Sequence, residues 1–213
     1  MITAIIFDLD NCLAAADEPG PEIFEPAFAA MRATNRGVLS PETLAEAFAA
    51  CWFHSLDWVA ARYGFSDEML AAGWEVLATT EVRQPMQGYG DLAALSELPA
   101  RRFLVTSGFR RLQQSKIGAL GVEALFDGVQ IDAIDEPDRT GKLGIFQRLM
   151  AEHRLAPSEI LVVGDNAESE LAVGLQLGLT TVQTLRPGVV RADAACHHIH
   201  SLWELAPFLV KGT

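Results

Sequence analysis

The sequence predicts an α/β protein: a parallel β-sheet covered by helices on both faces, with an all-helical segment inserted after the first strand. Two observations carry this prediction. From residue 84 onwards, short apolar runs alternate with stretches of helical period, as in sheets whose parallel strands are joined by right-handed helical crossovers. Between residues 23 and 80 the pattern is helical and no convincing strand interrupts it. At 213 residues, the chain is long enough for one large core and a small accessory domain.

The first strand is predicted in the apolar run from Ile2 to Phe7, which ends in Asp8 and Asp10. A short apolar run bounded by polar turn residues is typical of a strand buried on both faces. After a loop at residues 14–21, two of the following helices begin at Ser40 and Ser66, each a capping serine followed by an acid in the first turn. The four helices expected in this segment lie near residues 22–35, 41–53, 55–63 and 66–79.

The rest of the chain follows a linker near residues 84–90 that contains Pro and Gly. The expected helices here are 91–98, 109–119, 142–153 and 168–177, and the expected strands are 102–106, 128–131, 160–163 and 180–184. Together with the first strand, they predict a Rossmann-like three-layer core with a parallel sheet in the middle. We therefore assign residues 1–13 and 84–213 to the core and residues 14–83 to an inserted helical domain.

Composition narrows the class of protein. The 28 acidic side chains exceed the 16 basic ones and give a formal net charge of −12, so the surface repels nucleic-acid phosphates. A small anionic substrate is still compatible if the site brings its own cation, which points towards a metal. No apolar stretch reaches the roughly 18 residues that a membrane helix needs, and no basic secretory leader precedes the first strand. We expect a cytoplasmic protein whose three cysteines are reduced.

Polar residues follow the predicted strands at their carboxyl ends, where open parallel sheets bind ligands. Each has an ordinary structural explanation, because acids cap turns and helices, and threonine often ends a strand. As a set, carboxylates, a hydroxyl and a lysine suit a phosphoryl group and a hard, oxygen-preferring cation. The set comprises Asp8, Asp10, Thr106-Ser107-Gly108, Gly164-Asp165-Asn166 and, at the start of a helix, Lys142.

At these positions the chain resembles the haloacid dehalogenase superfamily of phosphohydrolases. Asp8-Leu9-Asp10 matches the family's Asp-x-Asp motif, and Thr106 matches its second motif, a Thr or Ser that closes a hydrophobic strand. Lys142 matches the family's lysine, with Arg139 as a reserve candidate, and Gly164-Asp165 matches its Gly-Asp pair. The resemblance spans essentially the whole core, and the helical insertion resembles the family's small cap.

The family's Gly-Asp pair is followed by a further acid, for which this sequence offers two candidates. Glu170 lies at the commonest spacing from Asp165, and Glu168 is the alternative. The family usually has Asp at this position, so a glutamate affects the expected metal geometry. Cys12 also differs from the family pattern, because Thr or Val is usual there, and this difference affects the expected support of Asp10.

The resemblance implies a magnesium-dependent phosphatase that acts on a small phosphorylated metabolite through an aspartyl-phosphate. Asp8 would be the nucleophile, and Asp10 would protonate the leaving oxygen and then accept the proton of water. Thr106, the Ser107 amide and Lys142 would bind the phosphoryl oxygens. The implied ligands of Mg²⁺ are Asp8, the main-chain carbonyl of Asp10, Asp165 and Glu170.

Three other functions stay open at this point. A phosphomutase of the same fold would return the phosphoryl group to its product. A receiver-type signalling domain also clusters Asp, Thr and Lys, but it is usually shorter and has no large helical insertion. The differences at Cys12 and Glu170 also leave room for a phosphate-binding protein without catalysis. A dehalogenase attacks carbon and needs no acid for its leaving halide, so Asp10 favours phosphorus chemistry.

Two further groups of residues are interpreted as structural. Cys196, His197, His198 and His200 lie on an apparent short strand that would send neighbours to opposite faces, which argues against a metal site. The aromatic residues of the insertion are expected to form the core of a small helical domain. Alternatives for them are contact with the substrate or with a second copy of the chain in a homodimer. These aromatic residues are Trp52, Phe53, Trp58, Tyr63, Phe65 and Trp74.

Overall fold

The computed structural model describes residues 1–195 and 197–209 and contains one sheet of six parallel strands. The strands are β1 (Ala4–Phe7), β2 (Arg101–Gly108), β3 (Gly128–Ala133), β4 (Ile160–Gly164), β5 (Thr180–Thr184) and β6 (His197–Ile199). Their spatial order is β3-β2-β1-β4-β5-β6. The chain places β2 and β3 on one side of β1 and then β4, β5 and β6 on the other side. The point at which the strand order reverses, the topological switch point, therefore lies beside β1.

Helices cover this sheet and form the insertion, so the expected α/β fold is confirmed. The helices are α1 (Glu25–Thr34), α2 (Pro41–Ala50), α3 (Leu56–Tyr63), α4 (Asp67–Leu77), α5 (Ala94–Glu97), α6 (Arg110–Leu120), α7 (Gly141–His153), α8 (Glu170–Gln176) and α9 (Ala206–Leu209). The helices α1 to α4 all lie between β1 and β2. The exact division into two domains at residues 13/14 and 83/84 stays a prediction.

Strand β1 is buried on both faces, as its apolar sequence predicts. Ile5 and Phe7 belong to one hydrophobic cluster, which includes residues of α6 and of the insertion. Ala4 and Ile6 belong to another, together with residues of α7 and α8. Side chains alternate along a strand, so the two clusters lie on opposite faces and the core has three layers.

The insertion has an apolar interior built mainly from α1 and α4. Met31 and Met69 are fully buried there, and Phe28 stacks on Phe48 with ring centroids 4.3 Å apart. Gly73 allows the two helices to approach closely, because a Cβ at this position would lie 2.7 Å from the Met31 sulfur. The serine start signals are present, since Ser40 and Ser66 both accept a hydrogen bond from a main-chain N–H of the first turn.

Several helices are shorter than the sequence predicts: in the insertion, for example, α1 begins at Glu25 and α2 ends at Ala50. Two further helices, in the core, also begin later than expected. The helix expected at 91–98 is regular only from Ala94, because the Asp91 carboxylate is bound by Arg186 and by the amide of Leu202. The helix expected at 168–177 begins at Glu170, since the residues before it form a turn. In the described part of the chain, no helix combines the length and apolar character required to cross a membrane.

Candidate active site

The polar strand ends meet in one cavity of about 430 Å³. Strand β1 is paired with β2 on one side and β4 on the other. The residues Asp8, Thr106 and Asp165, at the ends of these three strands, therefore come together at the switch point, where open α/β sheets bind ligands. The insertion contributes the opposite wall of the cavity.

Three buried carboxylates, Asp8, Asp165 and Glu170, offer ligand atoms that all lie within 4.8 Å of one another. Within the described residues, this is the one group of acidic, His or Cys side chains close enough to share an ion. Glu170 is 1% exposed, whereas Glu168 is exposed, so the geometry brings Glu170 to the cluster. Gly164 is required for this packing, because a Cβ there would overlap the Glu170 side chain.

Lys142 lies between two of these carboxylates. Its Nζ donates to Asp8 Oδ1 at 2.8 Å and to Glu170 Oε2 at 2.7 Å. It is the first residue after Gly141 in α7, and its side chain is almost fully buried. Burial alone would lower the pKa of Lys142, but the two neighbouring carboxylates outweigh burial and raise it. One buried cation therefore faces three buried carboxylates, and the excess negative charge has no partner among the protein groups of this cluster.

Burial, together with the excess negative charge, raises the pKa values of two of the acids. Burial, followed by the charges of Glu170 and Asp10, raises the pKa of Asp8 to about 7, although Lys142 opposes the shift. Burial also raises the pKa of Asp165 well above its ordinary value, again with help from Glu170 and Asp8. Closely spaced buried carboxylates require a proton or a cation to be stable. The all-oxygen donor set is the kind that Mg²⁺ and Ca²⁺ prefer, so the residues fit such an ion.

Asp10 lies apart from this cluster and is held by two residues of α6 that sequence reasoning missed. Lys116 Nζ donates to Asp10 Oδ1 at 2.6 Å, and Gln113 Nε2 lies 2.9 Å from Asp10 Oδ2. The Lys116 side chain is only 3% exposed, whereas that of Asp10 remains 24% exposed, towards the cavity. A signal for both residues is present in the sequence, because they occupy core-facing positions of an amphipathic helix between Leu112 and Leu120.

Thr106 and Ser107 lie at the end of β2, on the same wall as Asp10. The Gln113 side chain also contacts Thr106 Oγ1 at 2.6 Å and the Ser107 carbonyl at 3.1 Å. The Ser107 hydroxyl donates to Asp132 Oδ2 at 2.9 Å. Asp132 is the residue of β3 that pairs with Ser107 of β2. It was not singled out from the sequence. Its burial and its bond to Ser107 make it a support for the end of β2.

Arg139, the reserve candidate for the lysine, has other partners. Its Nε and Nη2 both donate to Asp132, each at 2.9 Å, and its Nη1 contacts Asp57 of α3. The hydrogen bonds that Arg139 donates to the Asp132 carboxylate raise the pKa of Arg139, so the guanidinium stays charged. Arg139 therefore connects the insertion to β3, while Lys142 contacts the Asp8 cluster.

Core loops also bind the insertion through asparagine side chains. Asn11 Nδ2 donates to the Trp52 carbonyl at 3.0 Å, and Asn166 Nδ2 donates to the Phe53 carbonyl at 2.9 Å. Asn11 has a left-handed backbone with φ of 53°, a conformation that Asn adopts more readily than most residues. These bonds fix the segment from Trp52 to Trp58 over the carboxylates.

Cys12 does not contact Asp10 through its side chain. It is fully buried, and its Sγ donates to the Val163 carbonyl at 3.7 Å. Burial, followed by the nearby Asp8 charge, raises the pKa of the Cys12 thiol well above its ordinary value. The thiol therefore links the loop after β1 to β4, and the side-chain support of Asp10 comes from α6 instead.

The histidines near the chain end lie away from the cavity. His197 and His198 belong to β6, the short strand that the sequence indicated. His198 Nε2 lies 2.8 Å from the Ala192 carbonyl, and the His197 ring packs near Phe208. Cys196, which was interpreted together with them, lies outside the described residues. Cys12 and Cys51 are free thiols.

The fold and the acid cluster together define a buried carboxylate site, suited to a divalent cation, at the switch point of a parallel sheet and covered by a helical cap. A family model for haloacid dehalogenase-like hydrolases matches residues 2–178. The chain therefore belongs to the haloacid dehalogenase-like hydrolases, and the family resemblance of the sequence is confirmed. A search of curated protein sequences gave no match.

Solved structures of this family are similar over nearly their whole length. A HAD phosphatase from Thermococcus onnurineus is 21% identical, with a TM-score of 0.62 and 98% of each chain covered. YfnB from Bacillus subtilis, described as a HAD-hydrolase bound to magnesium, is 14% identical, with a TM-score of 0.61 and 98% of each chain covered. The L-2-haloacid dehalogenase from Xanthobacter autotrophicus is 16% identical, with a TM-score of 0.58 and the same coverage. At these identities the comparison establishes the fold.

Proposed function

We propose that this hydrolase is a magnesium-dependent phosphatase that hydrolyses a small phosphomonoester through an aspartyl-phosphate on Asp8. The observation that carries the proposal is the second carboxylate, Asp10, which reaches the same cavity and is held by Lys116 and Gln113. An alcohol leaving group requires a proton, whereas a halide does not. Asp10 therefore favours phosphate esters over the haloacids that some structural neighbours hydrolyse.

The buried carboxylates form the proposed binding site for the ion. Asp8, Asp165 and Glu170 are the side chains that would hold Mg²⁺, and the family resemblance adds the main-chain carbonyl of Asp10. The raised pKa values of Asp8 and Asp165 support this assignment, since both acids lack a sufficient counter-charge. When bound, Mg²⁺ supplies positive charge that offsets the repulsion between the carboxylate nucleophile and the phosphate dianion. The neighbour described as bound to magnesium is consistent with this choice of ion.

The reaction uses the protein groups in two steps. A carboxylate oxygen of Asp8 attacks phosphorus, the bond from phosphorus to the ester oxygen breaks, and Asp10 gives that oxygen a proton. Water then attacks the phosphorus of the aspartyl-phosphate, Asp10 takes up its proton, and phosphate leaves as Asp8 is regenerated. Lys142 orients Asp8 and provides positive charge, while Thr106 and the Ser107 amide donate to phosphoryl oxygens.

Turnover of p-nitrophenyl phosphate with Mg²⁺ tests this proposal. Asp8→Asn should lower the rate by about 10³-fold or more, and Asp10→Asn should lower it by about 10²-fold or more. Excess EDTA should remove the activity, and Mg²⁺ should restore it. Glu170→Gln and Glu168→Gln form a matched pair of neighbouring acids. The first should weaken the dependence on Mg²⁺, and the second should leave it within about twofold, as is usual for an exposed side chain.

The dehalogenase alternative is tested on the same protein. Chloride release from 2-chloropropionate, without phosphate release from a broad panel of esters, would overturn the phosphatase proposal. Transfer of the phosphoryl group to a second hydroxyl, without free phosphate, would indicate the phosphomutase alternative. Inactivity on all of these substrates by metal-loaded protein would favour a binding protein.

A further inference from the structure

The part of the cavity that the insertion lines is mainly aromatic, and its one charged residue, Asp57, is ion-paired with Arg139. We call this surface the roof and define it by Phe24, Trp52, His54, Leu56 and Trp58, all of which line the cavity. Trp52 stacks on Phe24 with centroids 4.5 Å apart, and Trp58 stacks on His54 with centroids 3.7 Å apart. Burial lowers the pKa of His54 below its ordinary value of 6.5, so this imidazole is neutral near pH 7. The roof therefore presents flat ring surfaces and no positive charge.

The cations that line the cavity are already paired within the described residues. Lys142 contacts Asp8 and Glu170, Lys116 contacts Asp10, and Arg139 contacts two acids. The lining contains seven Asp or Glu residues against these three Lys or Arg residues. Binding of a divalent ion together with the substrate phosphate changes this charge balance little, because the charge of the ion is cancelled by the charge of the phosphate dianion. A second anionic group on the substrate would therefore meet repulsion and no free cation.

We propose that the substrate is a phosphomonoester of an uncharged alcohol that carries a flat, preferably aromatic, ring, and that esters bearing a second phosphate or a carboxylate are rejected. This inference rests on the proposed function and adds the class of leaving group. The ring would lie against Trp58 and Trp52 while the phosphate faces Asp8. Ring stacking favours such a ligand beyond the burial of its area. A cavity of about 430 Å³ is within the range of small-ligand sites and suits a phosphate with one ring system.

Two matched esters test whether a second negative charge on the substrate is rejected. In 4-carbamoylphenyl phosphate and 4-carboxyphenyl phosphate, the leaving groups have nearly the same size and shape, and they differ by one negative charge. We expect kcat/KM to be at least about tenfold higher for the carbamoyl ester, mainly through a lower KM, since KM-type losses report binding. Equal or faster turnover of the carboxy ester would overturn the proposal.

Trp58→Leu tests the role of the ring. It should reduce the ratio of kcat/KM for phenyl phosphate to that for glycerol 2-phosphate by about tenfold, because only the aryl ester loses a stacking partner. Trp203→Leu is the control, since Trp203 is 53% exposed and does not line the cavity. It should leave the ratio unchanged. An equal loss with both esters in Trp58→Leu would show a general disturbance of the cap and would contradict the proposal.

Binding to the Asp8→Asn protein separates this inference from the proposed function. Calorimetry with the carbamoyl and carboxy esters, in the presence of Mg²⁺, measures affinity without turnover. If wild-type protein hydrolyses neither these esters nor p-nitrophenyl phosphate, the proposed function fails. Tighter binding of the carbamoyl ester would still support the roof inference in that case, whereas equal binding of both esters would overturn it.

Discussion

The two walls of the cavity are built in different ways. The charged wall, which we call the floor, combines strand ends and helix starts that are far apart in the chain, so that Lys142 and Asp8 are separated by 134 positions. The roof comes from the residue that precedes α1, the short segment between α2 and α3, and the first turn of α3. In the floor, each charge depends on another, and removing one leaves a buried group without a partner. In the roof, each ring contributes contact area, which changes gradually with side-chain size. Substitutions should therefore have larger effects in the floor than in the roof.

Lys142→Met should have the largest effect. It would leave three buried carboxylates with no protein cation, and breaking a buried ion pair typically costs about 3–5 kcal/mol. Turnover should fall by about 10²-fold or more, because Asp8 loses the group that orients it. Urea unfolding with and without Mg²⁺ measures the stability change, and Mg²⁺ should recover part of it. A Lys142→Met protein as stable as wild type without metal would contradict the charge balance described for the floor.

The stability of the metal-free protein should fall as pH rises. Because the pKa of Asp8 is raised to about 7, the folded protein retains a proton that the unfolded chain loses near pH 4. The unfolded state then binds fewer protons, so the free energy of unfolding decreases between about pH 4 and pH 7, by up to about 4 kcal/mol for this one group. Asp165, whose pKa is also raised, adds to the same trend.

Magnesium should reverse this trend, since it replaces the proton at the carboxylates. We expect the increase in melting temperature on adding Mg²⁺ to be larger at pH 8 than at pH 5.5. Asp165→Asn should reduce that difference, whereas Glu22→Gln, at an exposed position of the cap, should not. A Mg²⁺ effect that is equal at both pH values would show that the ion binds outside the buried cluster.

Lys116→Met should affect rate more than binding. The substitution removes the cation that holds Asp10, so kcat should fall by about 10- to 100-fold with little change in KM, and Lys116→Arg should recover part of the loss. The informative control is the double variant with Asp10→Asn. If Lys116 acts through Asp10, it should have no further effect in that background. An additive loss would instead indicate a general structural role for Lys116.

The different construction of the floor and the roof also explains which site residues were predictable from the sequence. Asp8, Thr106 and Asp165 follow apolar runs, and a strand end is visible as a change from apolar to polar residues. Their convergence follows from the rule that parallel strands share a carboxyl edge. The fold was predictable for the same reason, although the starts of α5 and α8 were not. Those starts depend on where Asp91 and the turn before Glu170 find hydrogen-bond partners.

Other site residues carried a weaker signal. Gln113 and Lys116 are polar residues at core-facing positions of a helix, but sequence gives no indication of the group that each one meets across the core. The aromatic residues of the cap looked alike in sequence. In the structure, Trp52 and Trp58 belong to the roof, whereas Phe53 is 41% exposed. Trp74 contacts Phe109 of the core, with 4.8 Å between the ring centroids. Helical periodicity identifies a buried face, but the partner of that face depends on tertiary packing.

Cys12→Thr should have the smallest effect of these substitutions. The family pattern suggested that this position supports Asp10, but the Cys12 thiol donates to the Val163 carbonyl, and Asp10 is held from α6. A threonine hydroxyl can donate to the same carbonyl, so stability should change by about 1 kcal/mol or less, and kcat by less than about threefold. Thermal unfolding and p-nitrophenyl phosphate turnover measure both quantities. A loss of kcat as large as that of Lys116→Met would mean that the loop after β1, and not α6, controls the position of Asp10.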